Sequence, residues 1–291
     1  MFGSLLGGFM TEYFHPSYSF LLYSLFGLVV MLLGFNLDPE AEEDVTAAED
    51  EKGRKRAFLE EVRHNLSQIR GAIKLPEVYQ TLVFFLLVGL VEPSFGDFWY
   101  YFQLNVIKFT KFQYAMFGVL GYASLSLGTL YYNLYLKEHE VRTLLKWACY
   151  MGVVGSLLSL FFVLRWNLAC GISDIFCIVF TDIVLGTLGL AYSQLPTMVL
   201  FAKITPSSIE ATFFAFLTGT LNFSNTVMRP LVGSMLNDYF VGVTAEDLSQ
   251  FYVLCLVSMA TSLIPFTFLH LVPLKEEIKQ WQEGREKVQE Q

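Results

Sequence analysis

Seven ionisable side chains lie inside or at the rim of long apolar runs: Glu92, Asp97, Asp174, Asp182, Glu210, Arg229 and Asp238. Insertion scales charge roughly 2.5–3.5 kcal/mol for an arginine at mid-helix, so such residues face a cavity, pair with one another or mark a path for ions and polar solutes. The chain holds no phosphate-cradling glycine loop, no HExxH pair, no nucleophile elbow and no dinucleotide fingerprint. Its histidines, His15, His64, His139 and His270, lack metal-ligand spacing. The cysteines Cys149, Cys170, Cys177 and Cys255 form no CxxC and read as small apolar packing residues. No enzyme, metal site or cofactor is therefore expected. The chemistry left is non-covalent: ion pairing, proton carriage, or recognition of a charged or hydrogen-bonding solute.

Depth separates these candidates. With a helical rise of about 1.5 Å per residue, Glu92 stands roughly 21 Å along the span that begins at Val78. Arg229 stands roughly 28 Å past Glu210 on an unbroken helix, so those two cannot pair. Arg229 and Glu92 reach comparable depths and can. Asp182, about 15 Å into its span, is close to mid-membrane and is the most expensive charge in the chain. Asp182, Arg229 and Glu92 are the candidates for a substrate or proton path. Structural readings compete with this one. Glu92 and Arg229 can form a plain tie between helices, Arg229 can snorkel to the interface, and Asp182 can be satisfied by Ser, Thr or backbone groups. Asp97, Asp174 and Asp238 lie near span ends and read as solvated. Glu210, Pro206 and Asn222 read as gate or helix-cap residues, since a carboxylate favours a helix N-terminus. Pro196, Pro206 and Pro230 are expected to bend or break helices and expose backbone groups, as in the discontinuous helices of transporters.

The elements that must position these residues follow from composition. The 291 residues are 54% hydrophobic and 16% charged, with mean hydropathy +0.48 and 28 phenylalanines; soluble domains carry about 25% charged residues. This is the composition of an all-α polytopic membrane protein. The net charge of −8 is unevenly spread and no basic face exists, which excludes a nucleic-acid partner. Seven runs reach the ~20 apolar residues a spanning helix needs: 18–37, 78–98, 112–135, 145–164, 172–202, 211–241 and 250–272. The opening "MFGSLLGGFM" is too short to span and reads as the end of another helix, with Gly3 and Gly7 suited to close contact.

Of the 19 lysines and arginines, 15 fall on the side of loop 38–77, Lys203 and the C-terminal tail; only Lys108, Lys111 and Arg165 fall opposite. That bias puts the long loop and the C-terminus in the cytoplasm. The acidic half of the loop, "DPEAEEDVTAAEDEKG", reads as disordered. Its second half repeats Phe58, Leu59, Val62, Leu66, Ile69 and Ile73 at helical spacing, an amphipathic helix at about 55–74 on the membrane surface or the bundle. The sequon at Asn65 lies in this loop and that at Asn222 in a span, so neither should carry glycan. Aromatic residues at 98–102, Trp147 and Trp166 read as interfacial anchors.

The run "DIVLGTLGLAYSQLPTMVLFAKITPSSIEATFFAFLTGTLNFSN" resembles the folate–biopterin transporter family of the major facilitator superfamily. Asp182, Leu195–Pro196, the "TPSSIEATFFAF" segment and Asn222 carry the likeness. Upstream, "EPSFGDFWYYFQLNVIKFTKFQYAMFGVLGYASLSLGTLYYNLYL" and "VRTLLKW" resemble it too. The resemblance implies a partial major-facilitator fold of about seven transmembrane helices. Residues 1–37 would end the first helical half, 38–77 would be the cytoplasmic linker, 78–272 the six-helix C-terminal half, and 273–291 a cytoplasmic tail. It implies a folate- or pterin-class solute between two halves and a lipid bilayer around them. It also implies that this chain, truncated and inactive alone, needs the missing N-terminal half or a second copy. The rival expectation is a non-transporting membrane interaction or regulatory protein derived from a transporter. A seven-helix receptor fits less well, because no span carries a receptor-like motif.

Overall fold

The computed structural model describes residues 2–35, 51–206 and 209–289. The acidic stretch expected to be disordered lies largely outside the described residues. Every regular element among the described residues is helical, and the described part of each of the seven apolar runs is mostly helix. The run 78–98 is interrupted, because its helix stops at Val91 before Pro93 and a short helix α5 (Gly96–Tyr101) follows. The main helices of the runs are α2 (Pro16–Gly34), α4 (Pro76–Val91), α6 (Lys111–Tyr131), α7 (Val141–Val163), α9–α10 (Asp174–Gly189 and Leu195–Ile204), α11–α12 (Glu210–Phe223 and Arg229–Leu236) and α13–α14 (Phe251–Thr261 and Pro265–Phe268). By length and composition, four described helices are able to cross a bilayer, or five when α3 (Glu51–Ile73) and α4 count as one bent span. The protein is an all-α polytopic membrane protein.

Two of the three prolines do not break their helices. Helix continues from α9 through a π turn, Leu190–Gln194, into α10, and from α11 through another, Ser224–Met228, into α12. Each π turn begins six residues before a proline, Pro196 or Pro230. A helical proline lacks an N–H and its ring crowds the carbonyl four residues back; the widened turn accommodates that defect within the ladder. Pro206 alone ends a helix. Thr205 before it is extended (φ −76°, ψ 125°), as residues preceding proline are.

Contacts divide the chain into two compact units, residues 1–68 with 110–119, and residues 69–109 with 120–291. In the first, α1 (Phe2–Tyr13) folds back on α2. The Tyr23 hydroxyl donates to the Gly3 carbonyl at 3.4 Å, and the Phe112 N–H donates to Glu12 Oε2 at 3.3 Å. The closest glycine approach is at Gly8, where a Cβ would run into Ala115, whereas Gly3 stands clear. Of the two glycines expected at a close contact, Gly7 makes one, since a Cβ there would stand 3.0 Å from the Tyr23 hydroxyl, and Gly3 does not. The apolar side chains of α2 are exposed along its length, as lipid contact requires.

In the second unit Val78, Phe85, Leu145, Phe201, Phe213 and Val272 form the main core, joining α4, α7, α10 and α11 at the end where α7 begins and α10 finishes. The amphipathic helix splits across this arrangement. Ile69, Ala72 and Ile73 pack into the core, while Val62 and Leu66 are exposed on the protein. The side chains of Phe58 and Leu59 lie outside the described part. At the opposite end of α7, Trp99 stacks on Phe162 (6.3 Å) and meets Phe251 edge-on (5.2 Å), with Phe102 among them. Part of the 98–102 aromatic run is thus core. Tyr100, Trp147 and Trp166 are exposed, as anchors should be.

The C-terminal segment is not a loose tail. Its helix α15 (Lys275–Gln289) is pinned by Arg142, whose Nε donates to the Val272 carbonyl (2.6 Å) and whose Nη2 reaches the His270 carbonyl and Glu277 Oε2 (both 3.2 Å). The Lys275 N–H donates to Glu140 Oε2 (3.1 Å), Gln282 reaches the Lys203 carbonyl (3.0 Å), and Ile278 is buried in the core. Arg142→Ala should free this helix. Amide exchange in α15 should accelerate at least tenfold while α9 stays unchanged; equal protection in mutant and parent would count against the anchor.

Candidate functional site

The site is built where α4 stops. Glu92 precedes Pro93, which pushes it out of the helical region to φ −113°, ψ 89°. Its carbonyl is one of the orphan acceptors at a helix C-terminus, where a cation is favoured. Arg229 supplies the donor and the charge. Its Nε donates to the Glu92 carbonyl at 3.0 Å, and its Nη2 lies 3.1 Å from Glu92 Oε2. The clasp is reciprocal, since the Ser94 N–H donates to the Arg229 carbonyl at 3.0 Å. Gly233, one turn on, admits the Ser94 backbone so closely that a Cβ would collide with it. The pair that the depths allow is formed, and neither side chain is sealed: Arg229 is 29% exposed and Glu92 25%.

Both residues border a cavity of about 320 Å³ in the second unit. Its walls include Phe84 and Phe85 from α4, Cys149 and Gly152 from α7, Ser193 from the first π turn and Ser262 beyond α13. The two proline-associated π turns thus adjoin one cavity. The first contributes Ser193 and the second delivers Arg229, the residue directly after it. A π turn shifts the residues beyond it around the helix axis and is often found at functional sites. The second also ties two spans together. The Ser224 hydroxyl donates to the Phe85 carbonyl at 2.8 Å, and Gly89 opposite leaves it room.

The other predicted residues fall elsewhere. Asp182 belongs to α9, but its side chain lies outside the described part. Glu210 is exposed at the first helical position of α11; Ile209 is the cap residue, and its side chain makes no capping hydrogen bond. Glu210 is placed to act on the helix dipole, not as a hydrogen-bonding cap. Pro206 lies in the α10–α11 connection, its carbonyl accepting from the Ile209 N–H at 3.3 Å. Asn222 is exposed near the end of α11, away from the pair. Asp97 and Asp238 are exposed. Asp174 is not simply solvated. Arg165 Nη2 bonds its Oδ2 at 2.8 Å and Asn167 Nδ2 its Oδ1 at 2.7 Å, so it closes the α8 (Trp166–Ala169) turn. Sequence reasoning overlooked Ser193, Cys149 and Ser262, because an isolated Ser or Cys in an apolar run carries no pattern. A serine opposite a glycine, Ser224 and Gly89, was a usable signal only once α4 and α11 were known to be neighbours.

An ion pair on a cavity of a polytopic membrane protein is compatible with many families, so sequence likeness decides among them. The BT1 family matches over residues 1–291. The chain belongs to the BT1 family. Similar members of it include a protein of Arabidopsis thaliana called probable folate-biopterin transporter 8, chloroplastic, 26% identical over 95% of this chain and 49% of that protein. The folate-biopterin transporter of Synechocystis sp. is 29% identical over 91% of this chain and 51% of its own length. Probable folate-biopterin transporter 2 of Arabidopsis thaliana is 34% identical over 49% of this chain and 28% of that protein. The chain spans about half the length of the curated BT1 relatives that it matches across most of its residues. No solved structure matches it.

Proposed function

We propose that this chain forms one side of a solute path in a secondary transporter for folate- or pterin-type molecules. The observation that supports this reading is the Arg229–Glu92 pair on a cavity of about 320 Å³ lined by several helices. Arg229 spends its Nε on a main-chain carbonyl that no side-chain change removes. The rest of its planar fork faces Glu92 and the cavity, the geometry that matches a carboxylate of a folate. Ser193 and Ser262 add hydroxyls able to meet the amino and carbonyl edges of a pterin ring. Asp182 is the candidate for the coupling proton or a pterin amino group. The chain spans about half the length of the relatives it matches, and on this reading these residues alone bind solute without moving it across a bilayer.

The purified chain in detergent should quench its tryptophan emission saturably with folate, and Arg229→Ala should weaken that binding at least tenfold. In liposomes the same chain should show no saturable uptake. Absence of folate and pterin binding by folded chain would favour the interaction-protein reading instead. Orientation is testable in the same preparation. In sealed vesicles of known sidedness, an impermeant maleimide should reach native Cys170, which is exposed, from the non-cytoplasmic face. Lys279→Cys in a Cys170→Ser background should react only from the cytoplasmic face, as the charge bias demands. The reverse pattern would invert the topology.

A further inference from the structure

Three glycines stand on the cavity wall, Gly152, Gly155 and Gly189. Two have packing reasons to be glycine. A Cβ on Gly152 would sit 3.3 Å from the Ser262 Cβ, and one on Gly155 would sit 3.4 Å from Leu185 Cδ1, so both let α7 approach its neighbours. Gly189 differs. A Cβ there would meet nothing within 4 Å. Its backbone is ordinary helix, φ −57° and ψ −44°, so no left-handed conformation calls for glycine. A glycine inside a helix is nonetheless destabilising relative to alanine. Neither packing among the described residues nor backbone conformation offsets that cost. What the missing side chain leaves is space in the cavity.

We infer that Gly189 sets the size limit of the cavity and thereby which solutes it admits. Ligand pockets run to about 300–1,000 Å³, so a cavity of about 320 Å³ stands near the lower bound. One added side chain changes what enters. Gly189 directly precedes the π turn that brings Ser193 to the wall, so a substituent there would crowd the polar group a flat heteroaromatic solute would use. The role as a solute filter rests on the proposed function. The role as a size limit does not, and the two are measured separately.

Cys149 lies on the same wall and Cys170 is exposed on a loop, so one molecule carries a probe and a control. Folded chain would be treated with methanethiosulfonates of graded size, and modification rates read at each cysteine by mass spectrometry. Gly189→Leu should slow a bulky biotin-bearing reagent at Cys149 at least tenfold and the methyl reagent less than threefold, with Cys170 unchanged. Gly189→Ala and Gly189→Ser should give smaller steps in the same order, and they carry the test if the leucine variant does not fold. Parent-like rates at Cys149 with the bulky reagent in folded Gly189→Leu would overturn the inference, as would equal slowing at Cys170. In a parallel titration, folate and biopterin should bind Gly189→Leu at least tenfold more weakly than parent. If the parent binds neither, the proposed function falls and the labelling rates still decide the size limit. Should the parent bind both and Gly189→Leu bind them equally well, the filter is refuted and the proposed function stands.

Discussion

Arg229→Ala is expected to be the most damaging single change in this chain, at a cost on the order of 2–3 kcal/mol. It removes the donor to the Glu92 carbonyl and the partner of the Glu92 carboxylate together, leaving an uncompensated charge on a cavity in hydrocarbon. Glu92→Gln should cost much less, about 1 kcal/mol, because the main-chain bond to Nε survives and an amide oxygen can still accept from Nη2. Combining Glu92→Gln with Arg229→Ala should recover at least half of the yield lost by Arg229→Ala alone, since the orphaned carboxylate is gone. Thermal melting and monodisperse yield in detergent measure all three. Equal damage from Glu92→Gln and Arg229→Ala would show that the pair matters only as a pair, and the anchoring role of the Glu92 carbonyl would be dropped. Binding separates structure from function. If Arg229 serves solute, the rescued double variant folds and still fails to bind folate; if the pair is only a tie, it binds like the parent.

Asp182→Asn should abolish coupled uptake or shift its pH dependence when made at the matching aspartate of a full-length BT1 relative, with surface expression intact. Asparagine keeps the size and most hydrogen bonds of aspartate but can neither carry a proton nor hold a charge. The choice rests on depth: a rise of about 1.5 Å per residue puts residue 182 near the middle of its expected span, where a carboxylate is most costly. A loss of at least tenfold in uptake at the pH optimum, or a displaced optimum, is the expected reading. Normal transport at every pH would make Asp182 a satisfied structural residue.

Much of this molecule is set by its sequence through one physical fact: hydrocarbon tolerates little besides apolar helix. Runs such as 145–164 and 172–202 had to be largely helical, their order followed from the chain, and the lysine and arginine bias set an expected sidedness. Depth arithmetic along those helices was enough to rule out a Glu210–Arg229 pair and to allow Glu92–Arg229, because the rise per residue is fixed. Lateral relations were not legible. Which face of α4 meets the turn carrying Ser224, and that Gly89 makes room there, depends on helix rotation, which apolar periodicity leaves free when every face is apolar. The prolines show the same limit. Their chemistry signals a defect at Pro196 and Pro230, but whether the chain answers with a break or a π turn is decided by the neighbours that hold the rest of the helix in place. Asp174 looked solvated because its partners, Arg165 and Asn167, reach it only through the α8 turn. Gly189 was one glycine among 21, and only the tertiary structure put it on the cavity wall with open space before it, while Gly152 and Gly155 on the same wall face neighbouring side chains.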